Sequence, residues 1–166
     1  RGLKETSSII QIGASVLESA ANTFTAQQVD LQLNPLDNEV FVVYAVDLDV
    51  LEPNLIPGTD TAISTSISTT SRSSVGTLAD SNVLATNRVE IQSAGGETAR
   101  GQYASDSAPS TQLEYLAIIA TNDFFVNIQG SNNAAARSAK CRVYGVRARA
   151  DASIYAALVQ SELLSA

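Results

Sequence analysis

The stretch "EVFVVYAVDLDV", residues 39–50, decides the fold class: it alternates like a strand and ends with two carboxylates in step, Asp47 and Asp49. Its even positions read Val40, Val42, Tyr44, Val46, Leu48 and Val50, and its odd positions read Glu39, Phe41, Val43, Ala45, Asp47 and Asp49. One face is apolar throughout, whereas the other is apolar in the middle and acidic only towards the end. That is the pattern of a central strand running from a packed interior to an exposed rim. "EPNLIPG", residues 52–58, ends it, because two prolines and a glycine cannot continue a sheet.

Working outward, "FTAQQVDLQL" (24–33) alternates Val29, Leu31 and Leu33 with Gln28, Asp30 and Gln32, as a half-buried strand does, and "NPLDN" (34–38) supplies a turn. "TDTAISTSISTTSRSSVGT" (59–77) keeps Ile63, Ile67, Thr65 and Thr69 on one parity and reads as an edge or surface strand. "NVLATNRVEIQS" (82–93) is a further strand, and "AGGETARGQYASDSAPS" (94–110) reads as a long loop. "QLEYLAIIAT" (112–121) and "DFFVNIQG" (123–130) read as a hairpin turning at Asn122 and Asp123. In "KCRVYGVRARA" (140–150) a bulge at Gly145 is expected. It would turn Cys141, Val143, Val146, Ala148 and Ala150 inward and leave Lys140, Arg142, Tyr144, Arg147 and Arg149 on the other face. "DASIYAALVQSELLSA" (151–166) is the clearest helix, capped by Asp151 or Ser153, with Tyr155, Val159 and Leu163 in one stripe. The first twenty residues fit either a helix or an extended arm.

These segments predict an all-β fold, an antiparallel β-sandwich or barrel, and the about seven or eight strand candidates are the number expected of a jelly roll or similar sandwich. The expected organisation is an N-terminal arm or helix over 1–23, a sandwich over 24–150, and a C-terminal helix over 151–166. That helix would pack on the domain or on a neighbouring subunit, since one so short needs a partner surface.

The totals narrow the function. A chain of 166 residues with 45% hydrophobic and 16% charged residues fits one domain with a sparsely charged exterior, which is easily buried against neighbours. Ten basic against seventeen acidic residues give a net charge of -7, unlike a protein that wraps nucleic acid through its phosphates. There is no histidine, and Cys141 is the single cysteine, which excludes Ser-His-Asp and Cys-His catalysis and any His- or multi-Cys zinc site within one chain. Cys141 alternates with Val143 and reads as a small buried hydrophobe. No apolar run approaches the roughly 20 residues of a membrane helix. With no methionine anywhere, an initiator is expected to have been removed by processing or to lie in a leader.

Two clusters remain as candidate sites. Asp47, Asp49, Glu52 and Asp60 offer oxygen ligands suited to calcium, but without the spacing or glycine pivot of an EF-hand loop. A carboxylate pair is also what glycoside hydrolysis uses, yet the chain has no tryptophan to stack on a sugar. "GGETARG" lacks the strand, lysine and helix of a phosphate-binding loop. The basic residues Lys140, Arg142, Arg147 and Arg149 suit nucleic acid or an anionic lipid, or else the chain's own acidic rim, in cis or across an interface. Given the net charge, the structural charge match is the better reading. No catalytic residue, cofactor or metal is assigned.

The layout resembles the small single-jelly-roll capsid proteins of tailless icosahedral viruses. The resemblance rests on the N-terminal "RGLKETSSIIQIG", the strands "EVFVVYAVDLDV" and "DFFVNIQG", the Ser/Thr-rich centre and the terminal "YAALVQSELLSA". It implies a virion structural protein, localised in the capsid, whose partners are copies of itself in a large assembly together with other capsid proteins. It implies no catalysis and no sequence-specific binding of nucleic acid. Asp47, Asp49, Arg142, Arg147, Arg149, Tyr155, Val159 and Leu163 become the expected inter-subunit or charge-matching contacts. Many coat proteins that touch RNA carry strongly basic arms, whereas here the arm has only Arg1 and Lys4, so packaging by other components or an internal membrane is implied. The alternative from another class is an extracellular β-sandwich module that binds glycan or protein.

Overall fold

The computed structural model describes residues 2–106, 108–109 and 112–165, within which ten strands precede one helix. The strands are Leu3–Glu5 (β1), Ile10–Leu17 (β2), Thr25–Asp30 (β3), Glu39–Val50 (β4), Thr61–Ser68 (β5), Val83–Ala94 (β6), Glu97–Ala104 (β7), Ala117–Ile119 (β8), Asp123–Ser131 (β9) and Ser138–Ala150 (β10). The helix is Ala152–Ser165 (α1). One sheet runs β1-β10-β4-β8, with β2 sharing the edge of β10 beside β1, and the other runs β3-β9-β5-β6-β7. Counting in from both ends, β2 pairs with β10, β3 with β9, β4 with β8 and β5 with β6, all antiparallel. Such nested pairs are those of one long hairpin wound into two sheets, the jelly-roll order. The all-β sandwich expected from the sequence is the fold of the chain.

The main core lies between the sheets. Phe41, Val43 and Val46 of β4 and Cys141 and Val143 of β10 meet Ile63, Ile67, Phe124, Val126 and Ile128 of the second sheet. Cys141 is free and buried there, and burial pushes its thiol up to about 11, so it packs as a small hydrophobe. A second core lies on the opposite face of the first sheet, where Val40, Val42, Val146, Ala148 and Ala150 are covered by Tyr155, Leu158 and Val159 of α1.

One irregularity lets two strands serve both cores. Tyr144 of β10 pairs with Ala45, but Gly145 pairs with Val43, which leaves Tyr44 as an extra residue in β4. The bulge is therefore in β4 and not in β10. On β4 the residues facing the main core change from odd (Phe41, Val43) to even (Val46, Leu48, Val50), while β10 keeps one phase throughout. Gly145 is required opposite the bulge, since a Cβ there would stand 2.2 Å from the Val42 carbonyl oxygen and 2.8 Å from the Phe41 ring. The five residues expected to turn inward are all buried, but in two cores: Cys141 and Val143 between the sheets, Val146, Ala148 and Ala150 beneath the helix.

Four segments differ from expectation. Within the segment expected to be an N-terminal arm or helix (1–23), residues 2–23 are neither a helix nor an arm outside the sandwich, because β1 and β2 pair with β10 and the period-2 set Ile10, Ile12, Ala14 and Val16 packs on the main core; residue 1 lies outside the described residues. β5 is a central strand and not an edge, lying between β9 and β6. Its hydroxyls tolerate burial because they are bonded: Thr65 Oγ1 donates to the Asn87 carbonyl, and Ser66 and Ser68 both accept from Asn127. The stretch read as a long loop begins as a hairpin, since Gly95 and Gly96 (φ +59° and +80°) supply the left-handed pair of a two-residue turn between β6 and β7. Finally, β8 and β9 are not a hairpin, for the chain changes sheets between them. Asn122 fixes the crossing by accepting Leu31 N–H at its carbonyl (2.8 Å) and Leu33 N–H at its side-chain oxygen (2.6 Å).

Candidate functional site

The acidic pair and the basic strand come together on the outer face of the first sheet. Register places Asp47 directly opposite Arg142 and Asp49 directly opposite Lys140, all four exposed. Opposite charges directly across a strand pair favour that register. The guanidinium of Arg142 has its pKa raised first by a hydrogen bond with Tyr144 and further by the charge of Asp47. On the other flank of β10, Gly13 and Ser15 of β2 face Arg142 and Lys140 and add no charge. Each aspartate is thus set in register opposite a cation of the same chain.

Arg147 and Arg149, expected on that same face, lie on the other one, because β10 carries no bulge to bring them across. Arg147 Nη1 is 3.3 Å from Glu39 Oε1, and its Nη2 donates to the Leu31 carbonyl at 2.7 Å. Arg149 Nη2 is 3.7 Å from Asp37 Oδ1. Both arginines clamp the turn between β3 and β4. Arg149 also stands opposite Lys4 of β1, so Lys4 is part of a sheet. The remaining acids are used separately: Glu52 Oε1 accepts from Arg100 at 2.8 Å, and Asp60 Oδ1 accepts from Ser93 N–H at 3.1 Å. Among the described residues no group of three or more His, Cys, Asp or Glu converges to hold a metal.

The helix supplies a different kind of surface. Asp151 caps it, accepting from Ile154 N–H and the Ser153 hydroxyl, both at 2.9 Å, and these bonds hold its carboxyl below the ordinary range. Tyr155 and Val159 sit over the second core, whereas Leu163, expected in the same stripe, is 68% exposed and Leu164 is 80% exposed. The inward stripe shifts to Glu162, which accepts from the Thr69 hydroxyl and whose pKa is raised by burial. Ala156, Ala157, Gln160, Leu163 and Leu164 form an outward surface with no charge. The inward stripe ties α1 to the sandwich through Tyr155, Leu158, Val159 and Glu162.

The second sheet carries an open groove of about 710 Å³ on its outer face, bounded by Arg88, Tyr103, Gln129 and the loop at Val75–Leu78. Arg72 pins that loop by donating to Asn82 Oδ1 at 2.9 Å and meeting Asp80 at 3.4 Å. Buried Gly76 lets the loop descend, since a Cβ would stand 2.3 Å from Val83 Cγ2. The sequence reading missed this groove because its residues come from β5, β6, β7, β9 and a loop far apart in the chain. Compared with known proteins, the chain matches no protein-family model, no curated protein and no solved structure.

Proposed function

We propose that the chain is a virion structural protein that self-assembles, with copies of itself and other capsid proteins, into an icosahedral shell and performs no catalysis. The observation that carries this reading is the exposed outer surface of α1, where Leu163 and Leu164 stand at the end of a jelly-roll sandwich. Jelly rolls recur in viral capsids, and a sparsely charged exterior lowers the desolvation cost of packing many copies together. Arg147 and Arg149 are held in ion pairs within the chain, and the net charge is -7, in keeping with packaging by other components or an internal membrane. Light scattering coupled to size exclusion tests the reading, with masses that grow with concentration expected. A mass fixed at 17.4 kDa over the whole range would overturn it.

The groove of the second sheet favours one other reading, an extracellular glycan-binding module. Jelly rolls also serve as lectins, and the groove combines an exposed aromatic ring, Tyr103, with planar polar groups on Arg88 and Gln129. Glycan-array binding that is lost in Tyr103→Ala, by a protein that stays monomeric, would select this reading over assembly.

A further inference from the structure

The second sheet ends in an open edge. Among the described residues β7 pairs with β6 alone, seven of its eight residues are exposed, and the strand contains no proline, lysine or bulge to blunt it. Its phase follows from the two-residue turn. Ala94 and Glu97 flank Gly95 and Gly96 as a hydrogen-bonded pair, so residues 97, 99, 101 and 103 bond β6. The bond from Ser105 N–H to the Thr86 carbonyl, 3.0 Å, continues that phase. Thr98, Arg100, Gln102 and Ala104 therefore aim their N–H and C=O groups away from the sheet.

We propose that β7 pairs antiparallel with β7 of a second copy about a twofold axis at Gly101, joining two five-stranded sheets into one. The inference rests on the assembly reading for its occupant. The outward-aimed residues are placed symmetrically about Gly101: Thr98 meets Ala104 of the second copy and Arg100 meets Gln102, so every free backbone group on the edge gains a partner. A register centred on residue 100 would set Arg100 against itself, and one centred on residue 102 would leave Thr98 unpaired. Only the central register satisfies all four residues without opposing like charges. The side chains agree with it. Tyr103, 60% exposed, lies over Gly101, its hydroxyl 3.2 Å from where a Cβ would be, so each ring leans towards the axis. With glycine on the axis, nothing separates the two rings.

Two cysteine variants read the register directly. Residue 101 would face its own twin in a non-hydrogen-bonded pair with Cα atoms about 4.5 Å apart, within disulfide reach. Ala99 would face Tyr103, and its twin would lie several residues further along the strand. Mild oxidation should therefore convert Gly101→Cys to a covalent dimer on a non-reducing gel while Ala99→Cys stays monomeric. Equal cross-linking of both, or of neither, overturns the proposal. Because a side chain at 101 must displace the tip of Tyr103, charge variants give an independent readout. Gln102→Lys opposes Arg100 twice per dimer and should weaken self-association about tenfold, and Gln102→Glu should strengthen it. Identical responses to the two charges overturn the register. Ordered shells whose Gly101→Cys variant does not cross-link would sink this edge and leave the assembly reading standing. Cross-linked dimers that never grow would support the edge and count against the shell.

Discussion

The two ends of the first sheet's outer face are built on the same two strands and behave as opposites. At one end β4 and β10 present Asp47, Asp49, Lys140 and Arg142 to water; at the other they present Val40, Val42, Val146, Ala148 and Ala150 to α1. Between them stands Tyr44, the extra residue of the bulge, whose hydroxyl donates to Glu5 at 2.6 Å. The backbone continues from one end to the other, so side-chain chemistry alone decides which end recruits a covering element. A charge pair in register can remain in solvent, whereas a strip of valine and alanine must be covered.

The largest effect should come from making the dry end resemble the wet one. Val146→Asp would put a carboxylate beneath α1 with no counter-charge, at a cost of about 3–5 kcal/mol in denaturant unfolding at neutral pH. A loss under 1 kcal/mol would mean that the second core is not closed. Next in size is Gly145→Ala, whose methyl must displace the Val42 carbonyl or the Phe41 ring; about 2–3 kcal/mol is expected, with both cores affected.

Smaller effects follow from pH at the two ends of α1, which should respond with opposite sign. The folded pKa of Asp151 is depressed, so its contribution is present above the ordinary carboxylate pKa and is lost as pH falls through the folded value. The folded pKa of Glu162 is raised, so its contribution is present below the unfolded pKa and is lost as pH rises through the folded one. Amide exchange along α1 should accordingly show the first turn loosening in acid. Glu162→Gln should tighten the last turn at neutral pH, and a looser last turn would contradict the account. The smallest effect belongs to the wet end: Asp47→Asn should shift the unfolding free energy by about 0.5 kcal/mol or less.

The same contrast explains what was legible in the sequence. Alternation in residues 39–50 and 140–150 located the two central strands, since period is a local property, whereas the register that sets Asp47 opposite Arg142 and Asp49 opposite Lys140, and sends Arg147 and Arg149 to the other face, is not local. The bulge was sought at Gly145 because glycine often marks one, but that glycine only makes room for an extra residue on the partner strand. "VFVVYAV" is apolar at every position from 40 to 46, which is the signature of a strand buried on both faces and the one local sign of a second core. The buried hydroxyls of β5 misled because their burial depends on Asn127 and Asn87, which lie elsewhere in the chain. The Gly95-Gly96 pair, read only as part of a loop, forms a tight turn, and the polar, small residues after it hid the strand β7. The groove and the open edge are products of tertiary pairing and have no local signature at all.

Assembly is the central claim, and cryo-electron microscopy of the full-length protein, prepared at high concentration and physiological salt, tests it most directly. The account predicts closed shells in which α1 and the β7 edge lie at contacts between copies. A field of dispersed monomers under every condition tried would contradict it.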